Sequence, residues 1–205
     1  MPGSSLWLLP PPTHPLTPHL TSLIRKTSSH FSSPHLFLPH VTLTSGIEPK
    51  VYAGGAQAWL DGLPFLAGGS EGDVVVRLEG VRSEDVFVRK LYVKVRKEGV
   101  EAEGLRGLAG VVRREGVMGG KGEAEAEAEA ERWVREVYRP HLSLLYHDIP
   151  KIDDEGLKVV EEWTHELAKK MEVEGGFWGW RGGKVVLVET EKDISEWVPI
   201  AERDV

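Results

Sequence analysis

Two stretches constrain this chain more than any other feature: Leu38–Ile47, LPHVTLTSGI, and Arg139–Ile149, RPHLSLLYHDI. Each sets a proline, then a histidine, then a small hydroxyl residue two positions on, inside an apolar run. In a strand, residues i and i+2 face the same way. His40, Thr42 and Thr44 should therefore share one face, with Val41 and Leu43 on the other. Likewise His141 and Ser143 share a face, while Leu142 and Leu144 point away. Such strands need a packed core behind them and a polar space in front. Side by side, they would line one cleft with two imidazoles and two hydroxyls.

The rest of the pattern supplies elements for that core. SLWLL (Ser5–Leu9) reads as a strand ended by Pro10–Pro12. A helix is expected to about Phe31, with Thr17 as N-cap and Pro18 at its first position. Ala56–Leu63 reads as a short helix and Asp73–Leu78 as a strand. Val86–Lys97 reads as one long strand, with Phe87, Leu91, Val93 and Val95 on its apolar face. Lys90, Tyr92, Lys94 and Arg96 then form a basic face able to attract a nucleotide pyrophosphate. Gly104–Arg114 and Arg132–Tyr138 suit helices. Asp153–Met171 is the clearest helix, its stripe running Leu157, Val160, Trp163, Thr164, Leu167, Met171. FWGW, RGG and KVVLVET read as a closing hairpin in which Trp178 and Trp180 could share a face. Interleaved helices and hairpins give an α+β fold with largely antiparallel sheets. The strand–helix–strand order around each histidine suggests an internal duplication.

Composition narrows the chemistry. The absence of cysteine excludes disulfides, thiolate nucleophiles and Cys-ligated metal. The net charge of −7 owes five units to Glu123, Glu125, Glu127, Glu129 and Glu131, so the remainder is nearly neutral. Long nucleic acid usually requires a basic stripe; a small anionic substrate needs only local donors. No stretch suits a membrane span or a secretion signal, which predicts a soluble intracellular protein. Residues 118–131 are an acidic low-complexity insertion, either a solvated helix extension or disordered. GVMGGKG (Gly116–Gly122) is a residue short of a P-loop and lacks its Ser/Thr. No His-Glu-x-x-His is present.

Two imidazoles near pKa ~6.5 can divide acid and base roles at neutral pH. Adjacent hydroxyls can hydrogen-bond non-bridging phosphoryl oxygens, where negative charge gathers. The set suits hydrolysis of a strained cyclic phosphodiester without metal.

The paired motifs resemble those of the 2H phosphoesterase superfamily, which carries two His-x-Thr/Ser motifs on central strands. SLWLLPPP, VRKLYVKV (Val88–Val95), PHLSLLY (Pro140–Tyr146) and WRGGKVVLVET (Trp180–Thr190) are similar to its fungal and plant cyclic phosphodiesterase branch. The resemblance covers most of the chain and leaves out the acidic repeat. It implies one bilobed domain over residues 1–205, with two largely antiparallel sheets facing a central cleft and helices outside. It implies opening of ADP-ribose 1″,2″-cyclic phosphate to ADP-ribose 1″-phosphate and of nucleoside 2′,3′-cyclic phosphates to 2′-phosphates, in RNA metabolism downstream of tRNA splicing. By the same resemblance His141 is the base and His40 the acid, and Thr42, Ser143 and Tyr146 contact phosphate. Strand parity puts Tyr146 opposite His141, so that contact requires the strand to end or bend by about Leu145. No cofactor, no metal and no long nucleic acid are expected; the substrate is the one partner of a monomer. The expected location is cytoplasmic, with Golgi association compatible. Two other readings fit the same fold: a 2H enzyme acting on RNA ends or 2′–5′ linkages, and a non-catalytic nucleotide-binding protein.

Overall fold

The computed structural model describes residues 3–65, 74–119 and 121–205. In chain order these form β1 (Ser4–Leu9), α1 (Leu16–His30), β2 (Val41–Ile47), α2 (Ala56–Asp61), β3 (Val75–Arg82) and β4 (Leu91–Val95). Then follow α3 (Glu103–Val117), α4 (Glu123–Glu136), β5 (His141–Leu145), α5 (Asp154–Val173), β6 (Gly179–Arg181), β7 (Lys184–Val188) and β8 (Pro199–Asp204). The α+β class holds.

The described strands make a single antiparallel sheet in the order β6-β3-β4-β5-β2-β1-β7-β8, where two sheets facing a cleft were expected. The join explains the difference. Two four-stranded halves meet at the β2–β5 seam, where one residue pair, Val41 opposite Leu142, bridges them. That pair lies inside the two histidine motifs.

One face of the sheet is closed by helices. Leu6 and Leu8 of β1, Val41 and Leu43 of β2, Leu91, Val93 and Val95 of β4, and Leu142 and Leu144 of β5 share a core with Leu20 and Ile24 of α1, Leu105, Leu108 and Val112 of α3, and Val160 of α5. Burying such side chains is worth roughly 1.5–3 kcal/mol each. The helices cross over: α1, which precedes β2, packs on β5, and α3, which precedes β5, packs on β2. Each strand–helix–strand unit thus covers the other's motif strand.

Several expectations change on contact with the fold. Helix α1 begins at Leu16, so Thr17 is not its cap; His14 Nδ1 accepts the Leu16 N–H at 3.2 Å instead. The strand expected over Val86–Lys97 is shorter, because Phe87–Arg89 form a 3₁₀ turn ahead of β4. Lys90 consequently leaves the basic face. It is 2 % exposed, and its Nζ donates to Asp85 at 2.8 Å. Strand β3 runs on to Arg82, and the first residue of its expected span, Asp73, lies outside the described residues, as does Gly120 of the P-loop-like stretch.

FWGW and KVVLV do not pair as a hairpin. Strand β6 pairs with β3, and β7 pairs with β1 and β8. Gly182 and Gly183, at φ 61° and 131°, link the edge strand β6 to β7, which lies between β1 and β8. A Cβ on Gly183 would run into the Leu9 carbonyl oxygen, so no other residue makes this connection without strain. Trp180 is fully buried in the main core and so is not free to stack on a base, while the partly buried Trp178 packs against that core.

The acidic repeat resolves as helix. Alternating Glu and Ala places Ala126 and Ala130 one turn apart, and both pack on Met118. The glutamates face solvent, where Glu127 pairs with Arg114, and Glu129 with Lys121. No helix among the described residues is long and apolar enough to cross a membrane.

Candidate active site

The sheet face opposite the helices carries both motifs. Continuing the antiparallel register from Val41–Leu142 sets Thr42 opposite His141 and His40 opposite Ser143. Trp7 of β1 lies opposite Thr42 on the outer side. On the other flank, Lys94 of β4 lies opposite His141, and Tyr92 opposite Ser143. One row across the sheet therefore reads Trp7, Thr42, His141, Lys94. The next holds His40, Ser143 and Tyr92.

The two histidines are held by the same device. His40 Nδ1 lies 2.6 Å from the Leu38 carbonyl oxygen, and His141 Nδ1 lies 2.8 Å from that of Arg139. A carbonyl only accepts, so each Nδ1 carries a proton and each neutral ring presents a bare Nε2. The acceptor stands two residues before each ring, with Pro39 or Pro140 between. Proline's fixed φ pre-sets that short loop, which gives the recurring Pro-His pair a physical reason.

Both motif strands are also bulged at equivalent places. Leu6 pairs with Thr44 and Trp7 with Thr42, which leaves Leu43 as the extra residue. Leu91 pairs with Leu145 and Tyr92 with Ser143, which leaves Leu144 as the extra one. Parity reverses after each bulge. Thr44 turns away from His40 toward α3, where it lies 3.4 Å from Arg113 Nη1, contrary to strict alternation. Leu144 and Leu145 both enter the core, and β5 ends there. Tyr146 is thereby returned to the histidine side, where it stacks on Phe37 and meets Trp197, and where Ser143 is near enough to influence its phenol. The bend that its expected contact demanded is present.

The surroundings of the two rings differ. His40 is 3 % exposed. It stacks on Trp7, 3.8 Å between centroids at 9°, and Phe37 meets it edge-on at 6.2 Å. Trp197, from the β7–β8 connection, packs against both Trp7 and Tyr146. Burial chiefly drives the His40 pKa down to about 4; the Leu38 carbonyl opposes the shift, and the positive form of His141 adds to it. That mutual influence is itself a sign that the rings are near one another.

His141 is half-buried in a charged setting. Tyr92 meets it edge-on at 5.1 Å. Tyr92 donates to Glu84 at 2.7 Å, and Glu84 also pairs with Arg89 at 2.8 Å. Burial lowers the His141 pKa, the Arg139 carbonyl opposes this, Arg89 lowers it further and Glu84 raises it. Burial pushes the Tyr146 phenol up to about 12, with Ser143 acting the other way. Ser143 Oγ donates to the Val88 carbonyl at 3.0 Å. Among the described residues the Thr42 hydroxyl makes no hydrogen bond, and no group of three or more His, Asp or Glu side chains is placed to hold a metal.

The geometry thus brings His40, Thr42, His141, Ser143 and Tyr146 to one side of one seam. The sequence matches the family described as cyclic phosphodiesterase-like protein over residues 1–205. The chain belongs to that family. The match runs through the acidic helix, which the resemblance had left out. Among its relatives, a 2′,3′-cyclic-nucleotide 3′-phosphodiesterase of Phaeosphaeria nodorum is 49 % identical over 204 residues, covering 100 % of both chains. A protein of the same name from Neurospora crassa is 43 % identical, covering 99 % of each, and one from Yarrowia lipolytica is 28 % identical, covering 98 % of this chain and 99 % of its own.

Sequence reasoning missed Trp7, Phe37 and Trp197 as neighbours of the site. For Trp7 a signal existed: in Leu6-Trp7-Leu8 the tryptophan alternates with two leucines and so faces away from their core. Phe37 sits three residues before His40 and Trp197 in a polar tail, where no period marks them.

Proposed function

We propose that this chain is a hydrolase of cyclic phosphodiesters. It opens nucleoside 2′,3′-cyclic phosphates to 2′-phosphates and ADP-ribose 1″,2″-cyclic phosphate to ADP-ribose 1″-phosphate. The observation that carries the reading is the doubled anchor: two rings, each with Nδ1 tied to the carbonyl two residues back, each presenting Nε2 on one sheet face. The names of its relatives support the same substrate class.

In this scheme the phosphoryl group sits over the β2–β5 seam. Nε2 of His141 takes a proton from water as the water oxygen bonds to phosphorus. The P–O3′ bond breaks in line, and Nε2 of His40 gives its proton to the departing O3′. Thr42, Ser143 and Tyr146 hydrogen-bond the non-bridging oxygens, where charge builds. Those donors and two imidazoles fill every role, so the scheme runs without metal. The division of labour follows the family pattern and sets an electrostatic condition. An acid at His40 must be protonated when substrate is bound, so the bound anion has to raise its proton affinity well above the free value. Placing a negative charge against a buried ring does that, because little water screens the pair.

The test is phosphorus NMR of the product formed from a 2′,3′-cyclic nucleotide in EDTA. A 2′-phosphate is expected. A 3′-phosphate, or turnover that stops in EDTA and returns with zinc or magnesium, would refute the scheme.

A further inference from the structure

The sheet does not end its chemistry at His141. Beyond it, on the side away from His40, a cleft of about 580 Å³ runs along the open face of β4. Six cations line it, Arg89, Lys94, Arg96, Lys97, Arg135 and Arg139, against three carboxylates, Glu79, Glu84 and Glu98. This stands out in a chain whose net charge is −7. Two of the three carboxylates are already engaged, Glu79 with Lys94 at 3.6 Å and Arg96 at 3.1 Å, and Glu84 with Arg89 at 2.8 Å, while Arg135 pairs with Glu136 at 3.0 Å. Among the described residues Arg139 has no carboxylate partner; its Nη1 donates to the Tyr138 carbonyl. The Arg89 Nε is buried and unpaired. Lys97 sits with its ammonium on the Arg135 carbonyl at 2.7 Å, and burial, then the nearby charge of Arg139, hold its pKa below the ordinary lysine value. The cleft thus has unanswered positive charge, and His141 forms part of its wall.

Its position relative to the histidines limits what it can bind. Lys94 lies directly across from His141, and Thr42 lies across from His141 on the other side. Two strand spacings, ~10 Å, therefore separate the Thr42 position from the Lys94 position. The seam lies between the Thr42 and His141 positions, so it is one and a half spacings, ~7 Å, from the Lys94 position, a distance that a ribose and the phosphoryl group on its 5′ carbon can span. From this row we infer that the cleft is a subsite for a phosphoryl group on the 5′ carbon of the reacting ribose, and that the protein selects cyclic phosphates carrying that second anion. The inference rests on the proposed phosphoryl position at the seam. Of the two proposed substrates, ADP-ribose 1″,2″-cyclic phosphate carries such a group, its 5″-pyrophosphate, whereas a nucleoside 2′,3′-cyclic phosphate with a free 5′-hydroxyl leaves the cleft unfilled. Lys94 and Arg139 are the specificity residues.

The experiment is calorimetric and needs no turnover. Adenosine 2′-phosphate and adenosine 2′,5′-bisphosphate are titrated into the full chain at about 0.15 M salt, where exposed charges farther apart than ~8 Å are largely screened. The bisphosphate is expected to bind at least about tenfold tighter, a difference of ~1.4 kcal/mol. In Lys94→Ala and in Arg139→Ala that advantage should fall to roughly threefold or less, and in Lys94→Glu it should vanish. Lys50→Ala, at a distant exposed lysine paired with Glu48, should keep it. Equal affinities in the unaltered protein, or an advantage intact in both Lys94 variants, would overturn the subsite. Lys94 is half exposed, so its replacement does not threaten the fold. A protein that shows the affinity gap yet opens no cyclic phosphate keeps the subsite and loses the catalytic reading.

Discussion

The two motif strands repeat one construction in unlike company. Each has its proline, its Nδ1 anchor, its hydroxyl two residues on and its bulge one residue later. Around His40 the neighbours are aromatic: Trp7, Phe37 and, one ring further out, Trp197. Around His141 they are charged or hydroxylated: Tyr92, Glu84, Arg89 and Lys94. Backbone geometry therefore fixes the tautomer and aim of both rings, while the neighbouring strands set their proton affinity and access. Strand β1 supplies an indole plane and β4 supplies a cationic cleft. In the proposed scheme the same motif serves two proton transfers of one reaction because the sheet places it beside different strands.

The largest test of this comparison removes each ring in turn. His40→Ala and His141→Ala should each lower kcat by roughly 10²–10⁴-fold. The double variant should be little worse than the poorer single one, since groups acting as a unit do not add. Near-normal turnover in either single variant would break the pairing. The hydroxyls come next. Thr42→Ala and Ser143→Ala should each cost about 10²-fold in kcat. Ser143 donates to the Val88 carbonyl and lies near Tyr146, so its loss should also disturb Tyr146. A steady-state comparison of Tyr146→Phe alone and combined with Ser143→Ala reads that coupling.

Proton linkage sharpens the contrast further. The His40 pKa is about 4 in the folded chain, against an ordinary 6.5. Above pH 6.5 the ring is neutral in both states and its contribution is complete. As pH falls from 6.5 toward 4, the unfolded chain takes up a proton that the folded one refuses, so stability drops, by about 3 kcal/mol at the limit. Urea titrations across that range should show the slope in the natural protein and a shallower one in His40→Gln. An unchanged slope would place the burial elsewhere. The smallest effect belongs to the indole. An aromatic stack is worth ~0.5–1.5 kcal/mol beyond burial. Trp7→Leu should let water reach His40 and raise its pKa, read by proton NMR of the ring, while leaving that of His141 nearly in place.

Much of this site was legible because strand parity is a strong rule over three residues. His40 with Thr42, and His141 with Ser143, needed only that rule. It failed one step later, at Leu43 and Leu144, because a bulge depends on the partner strand and leaves no period in its own sequence. The same limit produced the misread hairpin. Gly182-Gly183 has the composition of a tight turn, yet the strand that follows it pairs with β1 and β8 instead of folding back on β6. The acidic repeat shows the opposite case, where Ala126 and Ala130 form a helical stripe hidden inside a period of two. Lys90 looked like surface because its strand was drawn too long. Trp7 and Phe37 reach His40 through register and loop path, which no local window contains.

The most direct test of the whole account is a crystal structure of the protein with adenosine 2′-phosphate. The account predicts Nε2 of His40 and Nε2 of His141 each within ~3 Å of an oxygen on the same phosphorus, with Thr42 and Ser143 on its other oxygens. A phosphate held by one histidine alone, with the second ring still closed under Trp7 and Trp197, would contradict it.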